Sequence, residues 1–252
     1  MKRWPFGLLL LGLSRGLAAA PPEAPVYRCH KTAPDEIAPA GGLTDTAWAR
    51  RPAVELVEAR AGGAPRQRTV YRLAWNDESL FVRAEAADTD IVARHTEHDG
   101  RLWEDDCLEF FVNPSLARET PYFEFQANPR GAHYDSLVFD RRKVLNPLYE
   151  QAWKRNYEPA GIRAAVSIRA DGWTVEFVLP LAALTLDQPL LPESGQRWRA
   201  ALFRVDRDSK GGVVESAWRP IASGRFHDPA AFGILEFASA PDGPKPGKEA
   251  QP

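Results

Sequence analysis

The chain has 252 residues, of which 44% are hydrophobic and 26% charged, and its formal net charge is −2. This composition is typical of a globular protein with a sizeable core. A nearly neutral chain offers no basic field for a nucleic acid, so we expect no nucleic-acid partner.

The N-terminus has the three-part pattern of a secretory signal. Lys2 and Arg3 precede an apolar run at 5–13, and small residues follow at 18–20. The run is too short to span a bilayer, and no later stretch is long enough to act as a membrane anchor. We predict a signal peptide at residues 1–20 and a secreted or periplasmic protein. Residues 241–252 are rich in Pro, Gly and Lys and predict a disordered tail, which leaves one domain at 21–240.

Strand patterns dominate the predicted domain, as short runs rich in Val, Phe, Tyr and Trp that are bounded by Gly, Pro, Asn and Asp. The predicted strands are Tyr27–His30, Arg68–Trp75, Ser79–Ala86, Cys107–Asn113, Tyr122–Asn128, His133–Phe139, Gly161–Ile168, Gly172–Leu179, Arg197–Val205 and Gly233–Phe237. Short helical turns are predicted at Leu43–Ala49, with Asp45 as a cap, and at Pro180–Leu184. Strands without intervening helices favour an all-β fold, an antiparallel two-sheet β-sandwich of jelly-roll type.

Cys29 and Cys107 are the only cysteines. An exported protein is in a compartment where a disulfide persists, and the two could pair if the N-terminal strand lies beside the strand that holds Cys107. The alternative is two separate buried thiols. The sequence does not give the distance between the two Cα atoms, so both remain open.

Acidic residues concentrate in the stretch His95–Phe111. Strand alternation places Asp105 and Glu109 on one face and Asp106 on the other, so adjacent acids do not face a common substrate. Glu109 and Glu124 could approach each other across neighbouring strands, as the acid and base of a glycosidase do. This keeps a catalytic interpretation open.

Two kinds of metal site are candidates, one with oxygen ligands and one with histidine ligands. Asp88, Asp90, Asp105 and Asp106 lie in or beside loops that could converge on calcium, although aspartates also form ordinary turns. His95 and His98 could ligate a transition metal, but no second His or Cys cluster has zinc spacing, and solvated loop histidines are the better interpretation.

Haem is a further candidate ligand. Bis-histidine ligation would have to use two of His30, His95, His98, His133 and His227. There is no C-x-x-C-H attachment motif, and Met1 is the only methionine. We expect no haem.

Several segments, taken in order, resemble the family 9 carbohydrate-binding modules. They are Leu43–Trp48, Leu73–Val82, Asp99–Phe111, Tyr122–Asn128, Gly172–Pro180, Ser216–Pro220 and Phe226–Gly233. The resemblance extends from Tyr27 to Phe237. It implies a β-sandwich that binds sugar, commonly attached to xylan-degrading enzymes, with two facing aromatic rings at the site and structural calcium.

The resemblance also implies site residues. Trp103, in a W-x-x-D segment, matches one ring of the platform. Phe226 and His227 precede the D-P-x-x-F-G motif at the position of the second ring, where the family has tryptophan. Glu109 matches a carboxylate that binds sugar hydroxyls, and Gln126 replaces an arginine of the best-known members.

We therefore expect a secreted, monomeric, non-catalytic protein that binds carbohydrate. The expected ligands are plant-type polysaccharides or oligosaccharides of the xylan and cellulose class, bound in support of polysaccharide breakdown. One alternative is a glycoside hydrolase or part of one, and the other is a haem-binding electron-transfer sandwich.

Overall fold

One mixed β-sheet accounts for most of the fold. The computed structural model describes residues 23–38, 40–139, 160–184 and 191–240. The predicted signal peptide at 1–20 and the predicted tail at 241–252 lie outside these ranges. Within them, no helix is long and apolar enough to cross a membrane.

The ten predicted strands begin and end within two residues of their predicted positions, and three short strands were not predicted. They are β1 (Val26–Lys31), β2 (Val54–Glu55), β3 (Val57–Glu58), β4 (Thr69–Trp75), β5 (Ser79–Ala87), β6 (Cys107–Asn113), β7 (Tyr122–Ala127), β8 (His133–Val138), β9 (Arg163–Arg169), β10 (Gly172–Pro180), β11 (Arg197–Arg207), β12 (Val213–Ala217) and β13 (Gly233–Ala238). The order along the sheet is β8-β7-β6-β11-β13-β1-β4-β5-β10-β9. Outside this path, β12 pairs with β11 and β3, and β2 pairs with β4.

Helical structure is short, as predicted. Helix α1 spans Asp45–Ala49, and its cap is Thr44, whose Oγ1 accepts a hydrogen bond from the Ala47 N–H at 3.2 Å. The prediction that Asp45 is the cap is therefore wrong by one residue. The segment predicted at Pro180–Leu184 forms a 3-10 turn at Leu181–Leu184.

The all-β class is confirmed, but the sheet is not purely antiparallel. Strand β1 pairs in parallel with both β13 and β4. Alternation of apolar and polar residues is the same in parallel and antiparallel strands, so the sequence pattern does not contain strand direction. The hydrogen bonding does not separate into two sheets either, because the described strands form one continuous sheet.

The sheet curves until its two halves face each other across one core. Tyr71 on β4 shows this directly, because its Oη lies 3.1 Å from the carbonyl oxygen of Glu109 on β6 and 2.7 Å from that of Phe203 on β11. Side chains from both halves fill the space between them. The arrangement is barrel-like and nearly closed.

Alternation along the strands gives the β6–β7 region two different faces. Phe110 and Phe125, paired across β6 and β7, point into the main core. The intervening residues of the same strands, among them Glu109 and Gln126, point to the opposite face. That outer face is also buried, because segments that include Trp103 and Phe226 pack over it.

The cysteines do not form the disulfide that was one of the two open alternatives. Both are free and buried. Cys29 lies on β1, whose neighbours are β13 and β4, whereas Cys107 lies on β6 between β7 and β11. The N-terminal strand is therefore not beside the strand of Cys107, which is the condition that the pairing needed.

Candidate functional site

The outer face of β6, β7 and β8 carries a buried polar cluster. Strand register pairs Glu109 with Gln126, and Glu124 with Ser136. The Glu124 carboxylate accepts hydrogen bonds from Gln126 Nε2 at 2.5 Å and from Ser136 Oγ at 3.1 Å. We call these four residues the polar floor. Glu109, Glu124 and Gln126 expose only 3%, 1% and 2% of their surface.

The carboxyl group of Glu109 stands apart from the rest of the polar floor. It has no hydrogen-bond partner among the residues that the structure describes, although buried polar groups ordinarily have one. Burial, and then the negative charges of Glu124 and Glu215, raise the pKa of Glu109 well above its usual value. A shift in this direction favours the protonated form of the carboxyl group, which can donate a hydrogen bond.

Two aromatic rings border the polar floor. Trp103 lies in the 3-10 turn Leu102–Glu104 and meets Tyr134 edge-on, with ring centroids 5.9 Å apart. Phe226 stacks on Phe203, with centroids 4.1 Å apart and planes at 5°. Both rings are half-buried against one apolar cluster, which consists of Leu102, Cys107, Ala132, Tyr134 and Val205.

The strand register connects these rings to the polar floor. Tyr134 pairs with Gln126, and Phe203 pairs with Glu109. The ring of Trp103 therefore lies at the Gln126 side and that of Phe226 at the Glu109 side. The structure thus brings together four of the predicted sugar contacts, Trp103, Phe226, Glu109 and Gln126.

His227 lies at a different end of the outer face. Its ring stacks near Phe111 with centroids 5.1 Å apart, and its Nδ1 is 2.7 Å from Tyr122 Oη. Burial lowers the pKa of His227 to about 3, so the imidazole is neutral at physiological pH. In this position His227 supports the segment that carries Phe226.

Ser136, Tyr134 and Phe203 belong to the site but were not predicted. Their positions follow from the register between β6, β7, β8 and β11. Alternation alone would have placed Tyr134 and Ser136 on one face of their strand. The sequence does not show which strands are neighbours in the sheet, so it does not predict that these residues lie near Glu109.

The four aspartates predicted to bind calcium do not form one set of ligands. The Asp105 carboxylate accepts hydrogen bonds from the backbone N–H groups of Arg94 and His95, both at 3.0 Å, and from Asn128 Nδ2 at 2.9 Å. Asp90 Oδ2 accepts from the backbone N–H of Ser209 at 2.9 Å. Both carboxylates are held by N–H donors of the protein itself.

Asp88 and Asp106 instead join Asp206 in a buried group whose oxygens lie within 4.8 Å of one another. Burial and the nearby Asp88 raise the pKa of Asp106 to about 7. The buried Arg204 guanidinium contacts Asp88 Oδ2 at 2.9 Å and Asp206 Oδ1 at 3.1 Å. Because a cation is already bound by two of the three carboxylates, the group as placed does not fit calcium. Calcium binding stays a prediction.

The fold and the site together define a class of protein. Half-buried aromatic rings can stack on the C–H face of a pyranose, and buried carboxyl and amide groups can bind its hydroxyls. Here these groups lie side by side on one face of a β-sheet. This arrangement is that of a carbohydrate-binding module.

The family is shown by direct comparison. The family model described as "Carbohydrate-binding family 9" matches residues 62–237. The chain belongs to this family, as the resemblance predicted.

Two curated relatives match part of the chain. An extracellular protein of Arthroderma benhamiae is 24% identical over 181 residues, which cover 69% of this chain and 80% of that protein. Exoglucanase XynX of Acetivibrio thermocellus is 23% identical over 175 residues, which cover 68% of this chain but only 14% of the enzyme.

Solved structures share the fold. A family 9 carbohydrate-binding module from Caldicellulosiruptor kristjanssonii, in complex with cellotriose, has a TM-score of 0.58 at 13% identity and covers 86% of this chain and 96% of its own. The module from this organism in complex with glucose has a TM-score of 0.57 at 15% identity, covering 88% of this chain and 100% of its own. At these identities the likeness shows the fold alone.

Proposed function

We propose that the protein is a secreted, non-catalytic carbohydrate-binding protein whose ligands are polysaccharides or oligosaccharides of the xylan and cellulose class. The observation that carries the proposal is the buried Glu109 carboxyl group, which lacks a hydrogen-bond partner in the described part of the chain. It shares with Gln126 the face that Trp103 and Phe226 border. The relatives support the ligand class and the location, because they include an extracellular protein, an exoglucanase and a module bound to cellotriose.

In the proposed complex a sugar ring stacks against Trp103 and contacts Phe226 at its other side. Glu109 forms a hydrogen bond with a sugar hydroxyl, and its raised pKa favours the protonated form, which donates. The Gln126 amide is oriented by its hydrogen bond to Glu124. A sugar hydroxyl at Glu109 would pair a carboxyl group that has no partner among the described residues.

Isothermal titration calorimetry with cello- and xylo-oligosaccharides tests this proposal. We expect Glu109→Ala to weaken binding by about 0.5 to 1.5 kcal/mol, the net value of one neutral hydrogen bond. Glu109→Gln should retain most of the affinity, because a neutral amide also donates. Glu55→Ala is the matched control, since Glu55 is an exposed carboxylate on the distant strand β2. Absence of binding by the wild type, or equal binding by Glu109→Ala, contradicts the proposal.

A glycoside hydrolase is the second candidate function, and one observation favours it. Glu109 and Glu124 lie on the same face of neighbouring strands, and the negative charge of Glu124 contributes to the raised pKa of Glu109. Glycosidases use a pair of carboxyl groups of which one has a raised pKa. Release of reducing sugar from xylan or cellulose that is lost in Glu124→Gln would establish hydrolysis. Our proposal expects no such release.

A further inference from the structure

A second group of potential ligands lies where the segment before β6 meets strand β8. It consists of one potential metal-ligand atom from each of His98, His133 and Asp135, and these atoms lie within 4.8 Å of one another. His98 Nε2 is 3.8 Å from Asp135 Oδ1 and also 3.8 Å from Asp99 Oδ1. The two imidazole rings are in contact, with centroids 4.4 Å apart. The structure therefore places a second histidine, His133, beside His98.

The backbone fixes the orientation of the His98 ring. Its Nδ1 is 3.0 Å from the carbonyl oxygen of His133, which requires Nδ1 to carry the proton as the donor. The lone pair then lies on Nε2, which faces the two carboxylates. Metal-binding histidines almost always donate their other ring N–H in this way, often to a backbone carbonyl.

The turn that presents His98 has an uncommon backbone conformation. Asp99 has a φ of 57°, in the left-handed region that few residues other than glycine adopt. Its N–H donates to the same His133 carbonyl at 3.1 Å. Such conformations persist where surrounding contacts enforce them, and they concentrate at functional sites.

The chemistry of the donors selects the ion. Two imidazoles with carboxylates suit zinc and related transition metals, whereas calcium and magnesium prefer oxygen ligands alone. Zinc bonds to nitrogen and oxygen are about 2.0 to 2.2 Å long, so the ligand atoms would have to move closer by roughly an ångström. Small side-chain rotations supply this movement, because His98 is exposed and the side chain of Asp99 is partly exposed.

We propose that His98, His133 and Asp135 bind a zinc-type transition metal ion, with Asp99 as a further ligand. The ion links the segment before β6 to β8, which ends the strand order of the described sheet. The same segment carries Trp103. Strand alternation directs His133 and Asp135 away from the face of Tyr134, so the metal site is separate from the polar floor. The metal holds the turn that positions the platform ring.

The test is a titration of the full chain, without an affinity tag, with zinc chloride in a calorimeter. We expect one zinc ion per chain in the wild type. His98→Gln and His133→Gln should each weaken zinc binding at least about tenfold. The matched control is His95→Gln, because His95 lies in the same segment but pairs with Glu97 and Glu104. His98→Cys should retain zinc, since a thiolate is also a zinc ligand.

Two outcomes overturn the proposal. One is a wild-type chain that binds no stoichiometric zinc, and the other is a loss of binding that is equal in His95→Gln and His98→Gln. Hydrogen exchange tests the structural role separately. Zinc should slow exchange of the amides at 95–104 in the wild type but not in His98→Gln, and unchanged exchange in the wild type would contradict the role in positioning Trp103.

Discussion

Replacement of Trp103 by alanine separates a binding role from a packing role. The side chain is half-buried, and two of its ring contacts lie among the described residues. One is the edge-on contact with Tyr134 at 5.9 Å, and the other is with the Arg101 guanidinium, 5.8 Å from the ring centroid. The bond from Arg207 to the Trp103 carbonyl oxygen is made by the backbone and survives the substitution.

The expected loss of stability is worked from these two contacts. An aromatic pair contributes about 0.5 to 1.5 kcal/mol and an exposed cation–π contact about 0.5 to 1 kcal/mol. We therefore expect Trp103→Ala to lower the free energy of unfolding by about 1 to 2.5 kcal/mol, from which a fall in melting temperature of roughly 2 to 10 °C follows. Sugar binding should weaken by about 1 to 3 kcal/mol, which is roughly 5- to 150-fold in Kd.

Calorimetric titration and thermal melting of the same samples measure both effects. Trp103→Phe keeps a ring at the position and should lose less affinity than the alanine variant. Phe139→Ala is the control for loss of an exposed aromatic side chain, since Phe139 is 52% exposed. A lower melting temperature with affinity within about twofold of the wild type would show that Trp103 only packs, and that the sugar site lies elsewhere.

Three further predictions concern the buried charges and the cysteines. Arg204→Met should lower the free energy of unfolding, measured in urea, by about 3 to 5 kcal/mol, because it leaves the buried carboxylates of Asp88 and Asp206 without a cation. A loss below about 1 kcal/mol would contradict the ion pairs. Folding raises the pKa of Asp106 to about 7, so the folded state binds a proton that the unfolded state has already released. The stabilisation by this proton is fully present below pH 4, and the free energy of unfolding falls by about 4 kcal/mol as the pH rises to 7. Asp106→Asn should flatten this decline between pH 5 and 8, and an unchanged slope would refute it. After denaturation without reductant, a thiol reagent should label both Cys29 and Cys107. A lack of labelling would show that the two form a disulfide.

Much of the fold is predictable because side-chain alternation and turn residues are local. Strand β6 was predicted at Cys107–Asn113, where the structure has it. The short strands β2, β3 and β12 were missed. The two-residue strands are too short for an alternating pattern. The parallel position of β1 depends on partners far along the chain, so no local signal contains it.

The candidate site was also predictable only where the signal is local in the sequence. Trp103 and Glu109 were predicted through a motif near one strand, and Phe226 through a motif more than a hundred residues later. The neighbours that orient them, Phe203 and Tyr134, depend on the order of strands in the sheet. The contacts of Arg204 with Asp88 and Asp206 also depend on strand order, because Arg204 comes from a distant strand.

A crystal structure of the protein with a cello- or xylo-oligosaccharide tests the central claim most directly. We predict that a sugar ring stacks on Trp103 and faces Phe226, with a hydroxyl within hydrogen-bond distance of the Glu109 carboxyl group. Sugar bound on another face, or crystals that take up no sugar at concentrations where the glucose and cellotriose complexes of the related module form, would contradict it.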